Sequence, residues 1–176
     1  VGYQALKTLN AGADAFNTAV GYQAGLSVTT GIQTTLIGAL AGDALTSGDA
    51  NTAVGYIALS ADTLGSHSVA VGRNALKVQN FTTATDVYNV AVGSNAGAAI
   101  TTGTINTLIG GLAGDALTTG NSNVAVGKSA LSGDTTGDRS TAIGFQALAV
   151  QNFTTNTDNY NVAVGYEALK DNSTAS

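Results

Sequence analysis

The chain of 176 residues contains no cysteine, proline, methionine or tryptophan, and only 10% of its residues are charged. Without cysteine there is no disulfide, no thiolate metal ligand and no thiol nucleophile. Aromatic residues make up 6% of the chain, which is little for the packed core of an enzyme of this size. The net charge is -5, and the six basic residues, Lys7, Arg73, Lys77, Lys128, Arg139 and Lys170, are scattered. No basic patch exists to neutralise phosphates, so no nucleic-acid partner is expected. No apolar run approaches the roughly 20 residues of a membrane helix, so no membrane insertion of this segment is expected. What the chain does have is 23 glycines and a hydrophobic fraction of 44%, and that balance with low charge excludes a disordered chain.

The glycines mark a repeat. Its unit reads Asn/Ser-Thr/Val-Ala-Val-Gly-x-x-Ala-Leu/Gly, anchored on Gly2, Gly21, Gly38, Gly55, Gly72, Gly93, Gly110, Gly127, Gly144 and Gly165. Successive anchors are 19, 17, 17, 17, 21, 17, 17, 17 and 21 residues apart. From Gly21 on, the pattern recurs in blocks of 72 residues, each of three 17-residue coils and one 21-residue coil. VQNFTTATDVYNVAVG (Val78 to Gly93) is matched by VQNFTTNTDNYNVAVG (Val150 to Gly165). A recurring period of this kind is the sequence signature of a stacked-repeat architecture.

Val or Ile precedes every anchor glycine, as at Val54, Val71 and Val126, and Thr or Val stands two residues earlier. Alternating β-branched residues predict a short strand in each coil. Ala follows each anchor by three residues, as at Ala58, Ala75 and Ala130, which implies a crowded position. Leu or Gly comes next: Leu fills a narrow core, and Gly permits close backbone approach or a positive φ. Segments such as TSGDA and TTGNS then turn the chain. Helices are disfavoured because each internal glycine costs about 1 kcal/mol relative to alanine. A helical hairpin repeat also needs about 30 or more residues. The expected fold is therefore all-β, a parallel β-solenoid of about ten coils in one repeat domain spanning residues 1–176, with a rod length of about 48 Å.

The strand is small or apolar on both faces, so one face is expected to pack within the coil and the other against a neighbouring copy. The repeated Ala and Gly are expected to allow close approach around an axis, and a cyclic homo-oligomer leaves no dangling interface. The units NTAVGYQAG (Asn17 to Gly25), NTAVGYIAL (Asn51 to Leu59), STAIGFQAL (Ser140 to Leu148) and NVAVGYEAL (Asn161 to Leu169) resemble the repeats of bacteriophage tail fibres, many of which end in an endosialidase-type intramolecular chaperone. They are also similar to the head repeats of trimeric autotransporter adhesins, whose coils are shorter. Both resemblances imply an obligate homotrimer of parallel solenoids on a virion or cell surface. The chain, which opens inside a repeat at Val1, is expected to be a piece of a longer fibre.

Catalytic, cofactor and metal sites find little to build on. Gly127-Lys128-Ser129 ends like a phosphate loop, but Ser122 stands where its first glycine belongs. His67 is the single histidine, in a variable slot that reads as outward-facing. Asp43 and Asp115 occupy equivalent turns and could bear calcium between coils, although turn formation explains them as well. Thr83/Thr85, Thr102/Thr104 and Thr155/Thr157 do not recur coil by coil, as an ice-binding array would. The long coils carry the receptor-contact candidates: Phe81, Thr82, Asp86 and Tyr88, then Phe153, Thr154, Asp158 and Tyr160. These readings lead to a non-enzymatic structural fibre without a cofactor. Its partners are further copies of itself and a host surface glycan or protein receptor. The alternative is a bacterial adhesin head or extracellular filament that binds matrix or neighbouring cells.

Overall fold

The computed structural model describes residues 1–12, 14–153, 155 and 157–173, and no helix occurs among them. The strands in chain order are β1 (Thr18–Val20), β2 (Thr35–Ile37), β3 (Thr52–Val54), β4 (Gly65–Ser66), β5 (Val69–Val71), β6 (Thr85–Asp86) and β7 (Val90–Val92). They continue as β8 (Thr107–Ile109), β9 (Val124–Val126), β10 (Gly137–Asp138), β11 (Thr141–Ile143), β12 (Thr157–Asp158) and β13 (Val162–Val164). The nine three-residue strands form one parallel sheet in the order β1-β2-β3-β5-β7-β8-β9-β11-β13. The chain is therefore a β-solenoid that adds one rung per coil. Val54 pairs with Val71 across one 17-residue coil, and Val71 pairs with Val92 across a 21-residue coil. The longer coils keep the register of the main sheet and spend their extra length elsewhere, where β4 pairs β6 and β10 pairs β12. The first unit contributes no strand, but its Val1 carbonyl accepts a hydrogen bond from Gly21 N at 2.8 Å.

Each three-residue strand points its central Ala or Leu into the coil and its two β-branched residues outward. Ala53, Ala70 and Ala125 are fully buried, whereas Val54, Val71 and Val126 are half-exposed. The alanine column of Ala58, Ala75 and Ala130 is also fully buried. Its crowding arises inside one chain, which corrects the expectation that these alanines bring neighbouring copies together. The anchor glycines crowd along the stack in the same way: a Cβ on Gly55 would fall 2.5 Å from the carbonyl oxygen of Gly72.

Two further columns complete the core. The position four residues past each anchor holds Leu or Gly, and the position seven past it holds Leu9, Val28, Leu45, Asp62, Gln79, Ile100, Leu117, Asp134, Gln151 and Asn172. Where the second position is aliphatic from Val28 on, the first is glycine. Where it is Asp or Gln, the first is a buried leucine. Leu36, central in β2, fills the space left at Gly25 and Gly42, and Leu108 does the same for Gly97 and Gly114. Close-packed interiors tolerate little void or overlap. The 72-residue block is thus a pattern of matched volumes repeated twice.

The corners between strands depend on left-handed backbone. Among the described residues, the 25 non-glycine residues with positive φ all fall in three slots: five before, two after and four after the anchor. Such corners leave backbone groups unpaired, and an interior asparagine column pairs them. Asn51 Nδ2 donates to the Gly65 carbonyl at 2.8 Å, and Asn51 Oδ1 accepts from Ser68 N at 2.9 Å. Asn123 repeats both bonds with Gly137 and Ser140.

Candidate functional site: the strand face and the long coils

Among the described residues, nine rungs of paired β-branched residues make the outward face of the main sheet a continuous stripe, with Thr at five of its eighteen positions and Val or Ile at the rest. Its surface positions run from Thr18 and Val20 to Val162 and Val164. Ile37, Ile109 and Ile143 are 38–40% exposed, a large area for aliphatic side chains at evenly spaced rungs. The slots that flank the strand in sequence, five before and one after each anchor, hold every aromatic residue of the chain except Phe81 and Phe153. Tyr22, Tyr56, Tyr88 and Tyr160 are all more than half exposed there. Tyr3 stacks on Tyr22 with ring centres 5.4 Å apart, and Phe145 stacks on Tyr166 at 5.3 Å. These strand and flanking columns include Arg73, Lys128 and Arg139 but none of the eleven acidic residues. The stripe therefore has a border of exposed aromatic and basic side chains.

Lys128 belongs to this border: its Nζ lies 5.9 Å from the centre of the Phe145 ring. The phosphate-loop resemblance of Gly127-Lys128-Ser129 is a repeat corner like those at the other anchors. No cavity opens among the described residues, and no group of three or more His, Asp or Glu side chains among them could hold a metal ion.

In the first long coil three of the four additional residues fall between Phe81 and β6. Phe81 is 8% exposed and tucked against the stack, while Thr82, Thr83 and Ala84 stand in solvent. Its amide donates to Asp62 Oδ1 at 3.1 Å and its carbonyl accepts from Leu64 N at 3.1 Å. Of the two aromatic residues proposed as contacts in this coil, only Tyr88 faces outward, at 52% exposure. Asp86 is exposed beside it. In the second long coil Phe153 is half-buried and Asp158 and Tyr160 are exposed. Thr154 lies outside the described residues.

Beneath each long coil sits a buried polar group that alternation and composition did not reveal. Gln79 Nε2 donates to Asp62 Oδ2 at 2.6 Å and to Ser68 Oγ at 3.0 Å, and Asn89 Nδ2 donates to Gln79 Oε1 at 2.9 Å. Asp62 Oδ1 also accepts from Gly65 N. The same bonds link Gln151 to Asp134, Ser140 and Asn161. Asp62 and Asp134 are fully buried, and their partners in these bonds are neutral donors. Aligning the coils at the slot seven past the anchor exposes the signal, because Asp-Gln interrupts an aliphatic column there twice.

Above the polar group the two long coils carry the same outer arrangement. His67 Nε2 lies 3.5 Å from Asp86 Oδ1, and the His67 ring stacks on Tyr88 with centres 5.1 Å apart. Arg139, in the equivalent slot, pairs with Asp158 and lies 5.8 Å from the centre of the Tyr160 ring. Asp43 and Asp115 are half-buried in their turns with Oδ1 unpartnered, and burial holds both carboxyls above the ordinary 3.8. Searches for relatives match no family model, no curated protein and no solved structure.

Proposed function

We propose that this chain is a rigid shaft or receptor-proximal segment of a fibre on a virion or cell surface, built from several copies lying side by side along their strand faces. The observation that carries this reading is the outward stripe of nine β-branched rungs, bordered by exposed tyrosines and free of carboxylates. A monomeric soluble protein rarely leaves so long a predominantly apolar stripe in water. Copies that bury it against one another around an axis close the assembly without an exposed edge, and three is the number the tail-fibre resemblance favours. The stack itself supplies stiffness, because each coil is bonded to the next through the main sheet and the asparagine column. In this reading the chain holds an attachment surface at a fixed distance, and Thr82, Asp86, Tyr88, Asp158 and Tyr160 on the long coils meet a host glycan or protein receptor.

The test is the solution mass of the whole chain together with substitutions confined to the outward column. Val71→Lys and Val126→Lys place charges on the stripe without entering the core. The wild-type chain is expected to run as an oligomer that survives heating, and the double variant as a folded monomer with an unchanged β spectrum. A wild-type monomer, or a double variant that assembles normally, would overturn the proposal.

A further inference from the structure

We propose that the first long coil carries a pH-operated fastener, formed by His67 and Asp86, whereas the second carries a permanent version of it, formed by Arg139 and Asp158. Both fasteners occupy the same place in the fold. His67 and Arg139 stand five residues before their anchors, and Asp86 and Asp158 end the short strands β6 and β12. Those strands are held to the stack by only two paired residues each, Gly65 with Thr85 and Ser66 with Asp86 in the first case, Gly137 with Thr157 and Asp138 with Asp158 in the second. The ion pair stands at the end of this short ladder, where Val87 N donates to the Ser66 carbonyl at 3.0 Å, and adds to that hold.

The two cations differ in the one respect that matters. A guanidinium keeps its charge at every pH a protein meets. Imidazole is the side chain whose ordinary titration falls between pH 5 and 8. The His67 ring stacks on Tyr88 and directs Nε2 toward Asp86 at 3.5 Å, so protonation creates a cation already in place. The titratable groups around it are Asp86 and Tyr88 on the coil above and Asp49 on the coil below, whose carbonyl accepts from His67 N at 3.0 Å. Asp49 has no acidic counterpart under Arg139, where Asn121 supplies the carbonyl. Acidification therefore tightens the first loop and leaves its sister unchanged, so the outer surfaces of two nearly identical blocks diverge as pH falls. The inference concerns the hold on the loop and stands whether or not the loop meets a receptor.

The experiment is amide hydrogen exchange on the whole chain between pH 5 and pH 8, corrected for intrinsic rates. The amides of Thr85, Asp86 and Val87 report the first loop, and those of Thr157, Asp158 and Asn159 serve as the internal control. Exposed ion pairs are weak, so protection of the first set is expected to rise by about 1.5- to 5-fold at the acid end. The control set is expected to stay level, because its pair is charged throughout. His67→Arg should hold the first loop at its acid-end protection at both pH values. Asp86→Asn should abolish the pH response while the single imidazole resonance still titrates. Equal changes in both loops, or a level first loop while His67 titrates, would overturn the proposal.

Discussion

Leu36 occupies the volume that glycine leaves vacant at Gly42, six residues further along the same unit: a Cβ on Gly42 would stand 2.7 Å from Leu36 Cδ2. Leu36 itself is fully buried. The pair therefore tests whether the 72-residue block is a pattern of volumes. Leu36→Ala opens a cavity and is expected to destabilise by about 2–5 kcal/mol. Gly42→Ala meets both that contact and a φ of 55°, and left-handed backbone disfavours a Cβ by about 1–2 kcal/mol. The double variant is expected to lose less than the sum by about 1 kcal/mol or more, since contacting sites couple. Chemical denaturation of the four chains measures the cycle, and strict additivity would remove the volume argument.

Strands and register were legible before any coordinates, because a β-branched pair ahead of a glycine at a fixed interval leaves one way to stack. Which strand face is the core was not legible. Thr52-Ala53-Val54 is small or apolar on both sides, and period two distinguishes the faces without choosing between them. The choice follows from width: a coil this narrow encloses Ala or Leu but not two β-branched columns. The left-handed corners were hidden for a different reason, since Gln, Leu, Ile and Tyr stand where glycine would announce them. Phe81 was hidden as well, because its burial depends on the bond from its amide to Asp62, which lies 19 residues away.

One of those corners is poorly matched to its residue. Ile57 has φ 49°, and a β-branched side chain in this region is strained by about 1–3 kcal/mol. In the same column one coil on, Asn74 Nδ2 donates to Asn95 Oδ1 at 2.8 Å, while Asn74 Oδ1 is buried without a partner. Ile57→Asn relieves the strain and places an amide donor below that oxygen. It is expected to stabilise the chain by about 1 kcal/mol although it removes an aliphatic side chain. A lower denaturation midpoint would show that the half-buried Ile57 packs better than its backbone suggests.

The two blocks differ at Val87 and Asn159. Val87 is fully buried, and Asn159 in the equivalent position has both side-chain polar atoms buried without partners. Unpaired buried polar groups cost about 1–3 kcal/mol. Asn159→Val is therefore expected to stabilise its coil by a similar amount, and Val87→Asn to weaken the first long coil. Hydrogen exchange at the amide of residue 159, which bonds the Asp138 carbonyl at 3.1 Å, reads the effect locally. Slower exchange in Asn159→Val is the expected result, and faster exchange would contradict it.

Asp43 and Asp115 link stability to pH. Burial raises both carboxyls above 3.8, outweighing the opposing bond from each residue's own backbone, so the folded chain holds these protons more tightly than the unfolded chain does. A group raised on folding contributes its stability in full below the unfolded value of 3.8 and loses it as pH climbs through the folded value. At neutral pH both turns thus hold a charged, partly buried carboxylate with an unpartnered oxygen. Asn in place of each keeps the shape and the acceptor for the backbone bond, and carries no charge at any pH. The double variant Asp43→Asn, Asp115→Asn is expected to be more stable than wild type at pH 7. Its advantage should shrink as pH falls toward 3.8, because protonation gives the wild type the same relief. Denaturation midpoints of both chains across that interval decide the matter, and a difference that stays constant with pH would exclude the linkage.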